Sequence, residues 1–323
     1  MASIETAAPR GATFSDYYGR IVSNVERVIQ GKRDVIELVL LCLVSEGHLL
    51  LEDVPGVGKT NLAKSLATSI ECSFGRVQFT PDLLPSDVVG LTVWNRGDNS
   101  FDFRPGPVFN NVVLADEINR ASPKTQAALL ESMAENQVTV DGVTYPLSRP
   151  FMVIATQNPI EHEGTYPLPE SQLDRFLMRV SVGYPSPHAE LEILDTHGDH
   201  DPFGDLEPVA TNAEVEALAR ATRQVHVAPS LKAYLVDVAQ ATRRSSHLAL
   251  GVSPRATLAL QRVAKARAAA EGRGYVIPDD VKALAVPVLA HRLIVTPEAQ
   301  LQGISPADAL GEVLRAVPVP GGH

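Results

Sequence analysis

Asp53-Val54-Pro55-Gly56-Val57-Gly58-Lys59-Thr60 is the stretch whose residue types speak most directly of chemistry. It follows the apolar run His48-Leu49-Leu50-Leu51 and precedes a helix-like segment from Asn61 to Ile70. A strand, a glycine turn and a helix opening on Lys-Thr together make a cradle for a nucleotide's phosphates. Glycines let the backbone approach the anion, the loop N–H groups and the positive helix end face it, and Lys59 adds a full charge. Thr60 is then placed to ligate Mg²⁺. The general pattern asks for glycine at its first position, where this chain carries Asp53.

Val112-Val113-Leu114-Ala115-Asp116-Glu117 is an apolar run ending in two carboxylates. A magnesium-dependent nucleotide hydrolase needs such a pair across from its phosphate loop: Asp116 to hold Mg²⁺ through water, Glu117 to orient and deprotonate the attacking water. Phe151-Met152-Val153-Ile154-Ala155-Thr156-Gln157-Asn158-Pro159 is a buried-type run that terminates in polar amides, so Asn158 can help position that water. In Gln172-Leu173-Asp174-Arg175-Phe176 an arginine stands among apolar neighbours. Ser253-Pro254-Arg255 opens a helix with a capping serine and a proline at the first helical position, which puts Arg255 at a positively polarised helix start suited to a phosphate. His197 and His200, with Asp199 and Asp201, have no second ligand cluster and read as a solvated loop rather than a metal site.

The elements that must position these groups follow an α/β pattern. Phe14 to Gln30 reads as a helix and Val35 to Val44 as a second, more buried one. Strand candidates after His48 to Leu51 are Arg76 to Phe79, Asn111 to Leu114 and Phe151 to Ala155, separated by helical or irregular segments, as a parallel sheet requires. The ligand then belongs at the carboxyl ends of the strands. From about Pro185 the pattern changes to Glu214–Thr222, Leu231–Thr242, Ala256–Ala270 and Asp279–His291, helical with no convincing strand between them. The expected organisation is a flexible start (1–13), an α/β nucleotide-binding core (14–185), a linker (186–210) and an all-helical lid (211–323).

With 323 residues and 45% hydrophobic content the chain has material for about two globular units. A net charge of −10 argues against a broad electrostatic grip on nucleic acid or anionic lipid, so protein partners are expected instead. Only Cys42, set between Leu41 and Leu43, and Cys72 are present, and they suit reduced thiols in a cytosolic protein. No segment has the apolar core of a signal peptide or the length of a membrane span, so a cytoplasmic, unanchored protein is expected.

The order and wording of these motifs resemble the AAA+ ATPases, and within them the MoxR family. The matching words are Leu51-Glu52-Asp53-Val54-Pro55-Gly56-Val57-Gly58-Lys59-Thr60, Ala115-Asp116-Glu117-Ile118-Asn119-Arg120-Ala121, Pro123-Lys124-Thr125-Gln126, Ala155-Thr156-Gln157-Asn158-Pro159, Leu173-Asp174-Arg175-Phe176 and Ser253-Pro254-Arg255-Ala256. The likeness runs from Phe14 to about Leu314, and Asp53 looks like a common choice in this family. The resemblance implies a P-loop NTPase core with a parallel five-stranded sheet, followed by the lid. It implies that Pro55, Gly56, Val57, Gly58, Lys59, Thr60 and Asn61 bind ATP as Walker A, that Asp116 and Glu117 form Walker B, and that Thr60 and Asp116 hold Mg²⁺. Asn158 matches sensor 1, Arg175 the arginine finger that reaches a neighbouring subunit, and Arg255 sensor 2, with Arg120 as a rival for the trans-acting role. The backbone around Val28, Ile29 and Gly31 corresponds to the adenine site.

Two inserts also fit the clade that holds MoxR and the magnesium-chelatase motor: a hairpin-like stretch at about 88–105, containing Trp94, and one at about 138–148 with Asp141-Gly142 as a tight turn. Such hairpins would face the channel of a ring. The resemblance thus implies a homo-oligomeric ring, a hexamer, that hydrolyses ATP at subunit interfaces and matures a partner bearing a von Willebrand factor A domain. The alternatives are a magnesium-chelatase-like motor subunit, a nucleic-acid-dependent ring ATPase, and a nucleotide-dependent switch with negligible turnover, which the presence of both Asp116 and Glu117 disfavours.

Overall fold

The computed structural model describes residues 13–54, 56–158, 164–188, 190–191 and 203–320. Pro55, Pro159, most of the expected start and the histidines at 197 and 200 lie outside the described residues. Among the described residues no helix is long and apolar enough to cross a membrane.

Helices α1 (Phe14–Glu26) and α2 (Arg33–Val44) lead into strand β1 (Leu49–Glu52) and helix α3 (Lys59–Ser69). Thr13 caps α1 by accepting from the Asp16 N–H while the Asp16 carboxylate accepts from Thr13 N, a reciprocal box that fixes where the helix starts. Strands β2 (Phe74–Gln78), β5 (Val112–Asp116), β8 (Met152–Gln157) and β9 (Met178–Val180) join β1 in a five-stranded parallel sheet of order β2-β5-β8-β1-β9. Side chains alternate across it, as a period of two demands. Leu49, Leu51, Leu114 and Ile154 face a core shared with α1, α2, α3 and the C-terminal helices. Leu50, Val113, Val153 and Ala155 face the opposite core, with Leu129, Leu130 and Phe176.

Two β-ribbons stand outside the sheet. Helix α4 (Pro85–Val89) runs into β3 (Gly90–Asn95), which pairs antiparallel with β4 (Ser100–Pro105). Gly90 has φ of +98°, and a Cβ there would lie 2.4 Å from the Arg104 carbonyl oxygen, so the ribbon can close at its base only on glycine. Helix α5 (Pro123–Glu135) is followed by β6 (Gln137–Val140) and β7 (Val143–Pro146). Asp141 and Gly142 both have positive φ, +49° and +80°, the backbone of a type I′ turn at the expected place. Phe103 of the first ribbon stacks on Tyr145 of the second at 4.1 Å between ring centres, with Phe109 edge-on to both.

Past the short helix α6 (Glu170–Leu173) and β9, the chain continues in α7 (Asn212–Gln224), α8 (Pro229–Arg244), α9 (Pro254–Ala270), α10 (Pro278–Leu289), α11 (Pro297–Leu301) and α12 (Pro306–Ala316). Two expectations need correction here. The C-terminal part is not all-helical, because β10 (Leu248–Leu250) and β11 (Ile294–Val295) form an antiparallel ribbon within it. Strand β9, three residues long and adjoining the Asp174-Arg175 pair, was not among the strand candidates because so short a run shows no period.

His48, at the amino end of β1, ties α5 to β8. Its Nδ1 accepts from Val153 N at 3.0 Å and its Nε2 lies 3.0 Å from the Met133 carbonyl, so the neutral ring with hydrogen on Nε2 satisfies both. Burial lowers its pKa to about 4, against the opposing pull of the Met133 carbonyl. An imidazole with a pKa near 6.5 unfolded and about 4 folded takes its proton preferentially in the unfolded chain. Its contribution is therefore complete above pH 6.5 and is lost as pH falls toward 4. Denaturant titrations of the wild type should show stability declining through that window, and His48→Gln, neutral throughout, should lose about 3 kcal/mol of the pH dependence.

Candidate functional site

β1 delivers the phosphate loop to the carboxyl edge of the sheet. Gly56 and Gly58 have φ of +85° and +86°, and nothing lies within 4 Å of a Cβ built on Gly56, so an open backbone cradle precedes α3. Lys59 and Thr60 are the first two residues of α3, and both are half-buried. Lys59 Nζ donates to the Asp53 carbonyl at 2.8 Å, folding the ammonium over the loop. Burial lowers the Lys59 pKa, and Asp53, Asp116 and Glu117 pull it back up. Ile29 reaches across so that its Cδ1 would lie 3.8 Å from a Cβ on Gly58, which brings the Val28–Gly31 segment against the loop.

Asp53, the departure from the general pattern, has a structural role of its own. Its Oδ2 accepts from Gly183 N at 2.5 Å and Ser181 Oγ at 3.0 Å, while Oδ1 accepts from Val54 N at 2.9 Å. Burial alone would raise this carboxyl's pKa. The bonds from Gly183, Ser181, Val54 and Val182 outweigh that and hold it below the usual range. The carboxylate thus clips the root of the phosphate loop to the chain leaving β9.

The carboxylate pair Asp116 and Glu117 sits at the end of β5, the neighbouring strand but one. Thr156 on β8 donates from Oγ1 to Asp116 Oδ1 at 2.7 Å and accepts at the same oxygen from Glu117 N at 2.8 Å. One hydroxyl therefore fixes both acidic residues. Asp116 Oδ2 pairs with Arg76 Nη2 at 2.7 Å, and Glu117 Oε2 accepts from Gln78 Nε2 and Arg120 Nη1, each at 3.0 Å. Glu117 has φ of +56°, a left-handed backbone that non-glycine residues seldom adopt and that turns its side chain off the strand line. Arg120, the rival for a trans-acting role, is thus bonded to Glu117 of its own chain. Asn158, buried at 7% exposure, follows β8 on the same edge.

Arg175 and Arg255 lie elsewhere. Leu177 N donates to His48 O at 2.8 Å and Leu49 is in register with Met178, so the residues before β9 stand at the amino end of β1. The four residues of β1, about 13 Å of strand, separate that end from the phosphate loop. Arg175 Nη1 donates to the Leu130 carbonyl of α5 at 2.5 Å. Arg255 Nε lies 3.7 Å from Asp174 Oδ2, and its side chain is 62% exposed. The chain therefore gathers Lys59, Thr60, Asp116, Glu117 and Asn158 at one edge of the sheet and the two arginines at the other.

Sequence reading missed Thr156, Arg76 and Gln78, which hold the acidic pair, and Arg292, which meets Asp174. Three of these bonds cross about 40 positions of sequence, and only the strand register brings the partners together. The oxygen donors of Thr60 and Asp116 fit a hard cation such as Mg²⁺. Among the described residues there is no group of three or more acidic, histidine or cysteine side chains placed to hold a metal ion.

A family model described as "ATPase family associated with various cellular activities (AAA)" matches residues 48–178, and an AAA lid domain matches 240–313. The chain is 51% identical to YeaC of Bacillus subtilis (strain 168) over 94% of each chain. It is 43% identical to Chaperone MoxR1 of Mycobacterium tuberculosis (strain ATCC 25618 / H37Rv) over 93% of this chain and 82% of that one. Identity to Protein MoxR of Paracoccus denitrificans is 32%, over 96% and 99% of the two chains. A crystal structure of a candidate ATPase from Cytophaga hutchinsonii superposes with a TM-score of 0.89 at 38% identity, covering 95% of this chain and 96% of that one.

Asp53 yields a direct test. If position 53 had to meet only the glycine of the general pattern, Asp53→Gly would be neutral. The bonds above predict instead a loss of about 1–2 kcal/mol in a denaturant titration, since the half-buried N–H groups of Gly183 and Val54 lose their acceptor.

Proposed function

The chain belongs to the AAA ATPases, in their MoxR family, and from that membership we propose that it hydrolyses ATP at subunit interfaces of a ring and uses the resulting motion to remodel a partner protein. The reading rests on one observation above all: the Thr156 hydroxyl that locks Asp116 and Glu117 side by side, across from an ammonium that feels both charges.

In this proposal the N–H groups of the Gly56–Asn61 segment and Lys59 hold the β- and γ-phosphates, while the segment at Val28, Ile29 and Gly31 takes the adenine. Thr60 and Asp116 are the residues that would hold Mg²⁺, which when bound neutralises charge on the phosphate oxygens. Glu117 accepts the proton of the attacking water, and Asn158 orients that water. Gln78 and Arg120 both bind Oε2 of Glu117, so they govern which carboxylate oxygen is free to act.

Arg175 and Arg255 share the edge away from their own phosphate loop, which favours both acting on a neighbouring subunit's triphosphate. A head-to-tail arrangement that presents the amino edge of one copy to the carboxyl edge of the next closes into a ring, and we propose a hexamer. The name of the Mycobacterium relative, Chaperone MoxR1, supports a maturation role, and the proposed partner carries a von Willebrand factor A domain. Trp94 and Phe101, cross-strand partners 44% and 70% exposed on the first ribbon, offer an apolar contact for it.

Lys59→Ala is expected to abolish ATP binding in calorimetry with magnesium. Glu117→Gln should bind ATP and lose at least about 100-fold in phosphate release, because only the proton acceptor is gone. Wild-type turnover in both variants would refute the site. Mixed assemblies of Arg175→Ala and Lys59→Ala subunits should regain part of the lost rate. A mixture proven to co-assemble yet inactive would show that Arg175 does not act across subunits.

A further inference from the structure

Asp174 lies between two arginines that approach it from the C-terminal helices. Arg255 Nε is 3.7 Å from Oδ2, and Arg292 Nε is 2.8 Å from Oδ1, an ion-pair contact outside hydrogen-bond alignment. The two arginines differ in every other respect. The Arg255 side chain is 62% exposed and at liberty to leave, whereas that of Arg292 is 5% exposed. Arg292 Nη1 donates to the Val288 carbonyl at 2.8 Å. Its Nη2 donates to the carbonyls of Phe176 at 2.7 Å and Asp174 at 3.3 Å. His291, the preceding residue, places Nε2 3.2 Å from the same Phe176 carbonyl. Burial lowers the Arg292 pKa to about 10, against the pull of Asp174, so the guanidinium remains charged at neutral pH.

The backbone on both sides of Arg175 is therefore held from one point: Arg292 bonds the carbonyls of Asp174 and Phe176, and the Asp174 side chain carries Arg255. We propose that Arg292 and Asp174 are positioning residues that set Arg175 and Arg255 side by side as one unit, so that core and lid meet a neighbouring subunit's phosphates together. A planar guanidinium spreads five fixed donors over three nitrogens and so reaches three carbonyls and a carboxylate at once, whereas an ammonium has three donors on a single nitrogen. The proposal rests on the ATPase reading above, in which these two arginines act in trans.

Arg292→Lys keeps the charge and loses the fork. Steady-state kinetics should show kcat reduced about tenfold or more, since misplacing two charge-stabilising groups slows the chemical step, while ATP affinity measured by calorimetry stays within about threefold because the phosphate loop is untouched. Asp174→Asn, which retains the shape at a half-buried position, should show the same split if the buried arginine variant folds poorly. Two further readouts separate positioning from simple destabilisation. In an Arg255→Ala background, Asp174→Asn should cost much less than in the wild type, because the residue it places is already gone. Subunits carrying Arg292→Lys, mixed with Lys59→Ala subunits, should recover activity, because the intact edge of one meets the intact loop of the other. Unchanged kcat, losses that multiply in the double variant, or absence of rescue in proven mixed rings would each overturn the positioning role. A wild-type protein that neither binds nor hydrolyses ATP would instead overturn the ATPase reading, and this proposal with it.

Discussion

The parallel pairing of β1 with β9 is the constraint on which everything else depends. Three residue pairs, Leu49–Met178 through Leu51–Val180, fix the register. That short ladder does two things at once. At its carboxyl end it brings Ser181 and Gly183 to the Asp53 carboxylate, so the root of the phosphate loop is clipped in place. At its amino end it brings Leu177 to His48, and with it the turn that bears Asp174, Arg175 and Phe176. A parallel sheet has chemically distinct ends, and this chain gathers Lys59, Thr60, Asp116, Glu117 and Asn158 at one and Arg175 and Arg255 at the other.

Much of this was legible in the sequence, for reasons that are themselves physical. The phosphate loop, the acidic strand end and the Asp141-Gly142 turn are local: each depends on residues a few positions apart whose backbone requirements are strict, so residue type alone announces them. The four longer strands were visible as apolar runs. What escaped notice depends on pairing across distance. β9 is three residues and β11 two, too short for any period, and the β10–β11 ribbon shifts register between Leu248 and Leu250. The partners that Thr156, Arg76 and Gln78 find on the acidic pair follow from strand order, which no local pattern encodes. Asp53 shows the limit from the other side. A pattern comparison counts it as a defect, whereas it is a bond to residues 130 positions away.

The electrostatics of the fold divide between groups that stay put and groups that can move. His48 and His291 are buried and held neutral, with pKa values of about 4 and about 3 that burial enforces. They serve as fixed hydrogen-bonding struts beneath the sheet. Arg292 is buried and charged, matched by Asp174. Arg76, Arg120 and Arg255 are mostly exposed, and pairs of that kind contribute little to stability, typically under about 1 kcal/mol. Contacts of such small worth can be broken without unfolding anything around them.

The face-to-face contact of Phe103 with Tyr145 has a mechanical meaning. It joins two ribbons that share no backbone ladder, so that the exposed Trp94–Phe101 pair and the second ribbon belong to one packed unit. That unit is rooted in α5 through Asn136, and α5 holds Arg175 by the Leu130 carbonyl. The stacked rings and α5 therefore join the aromatic ribbon to Arg175 as parts of one packed unit.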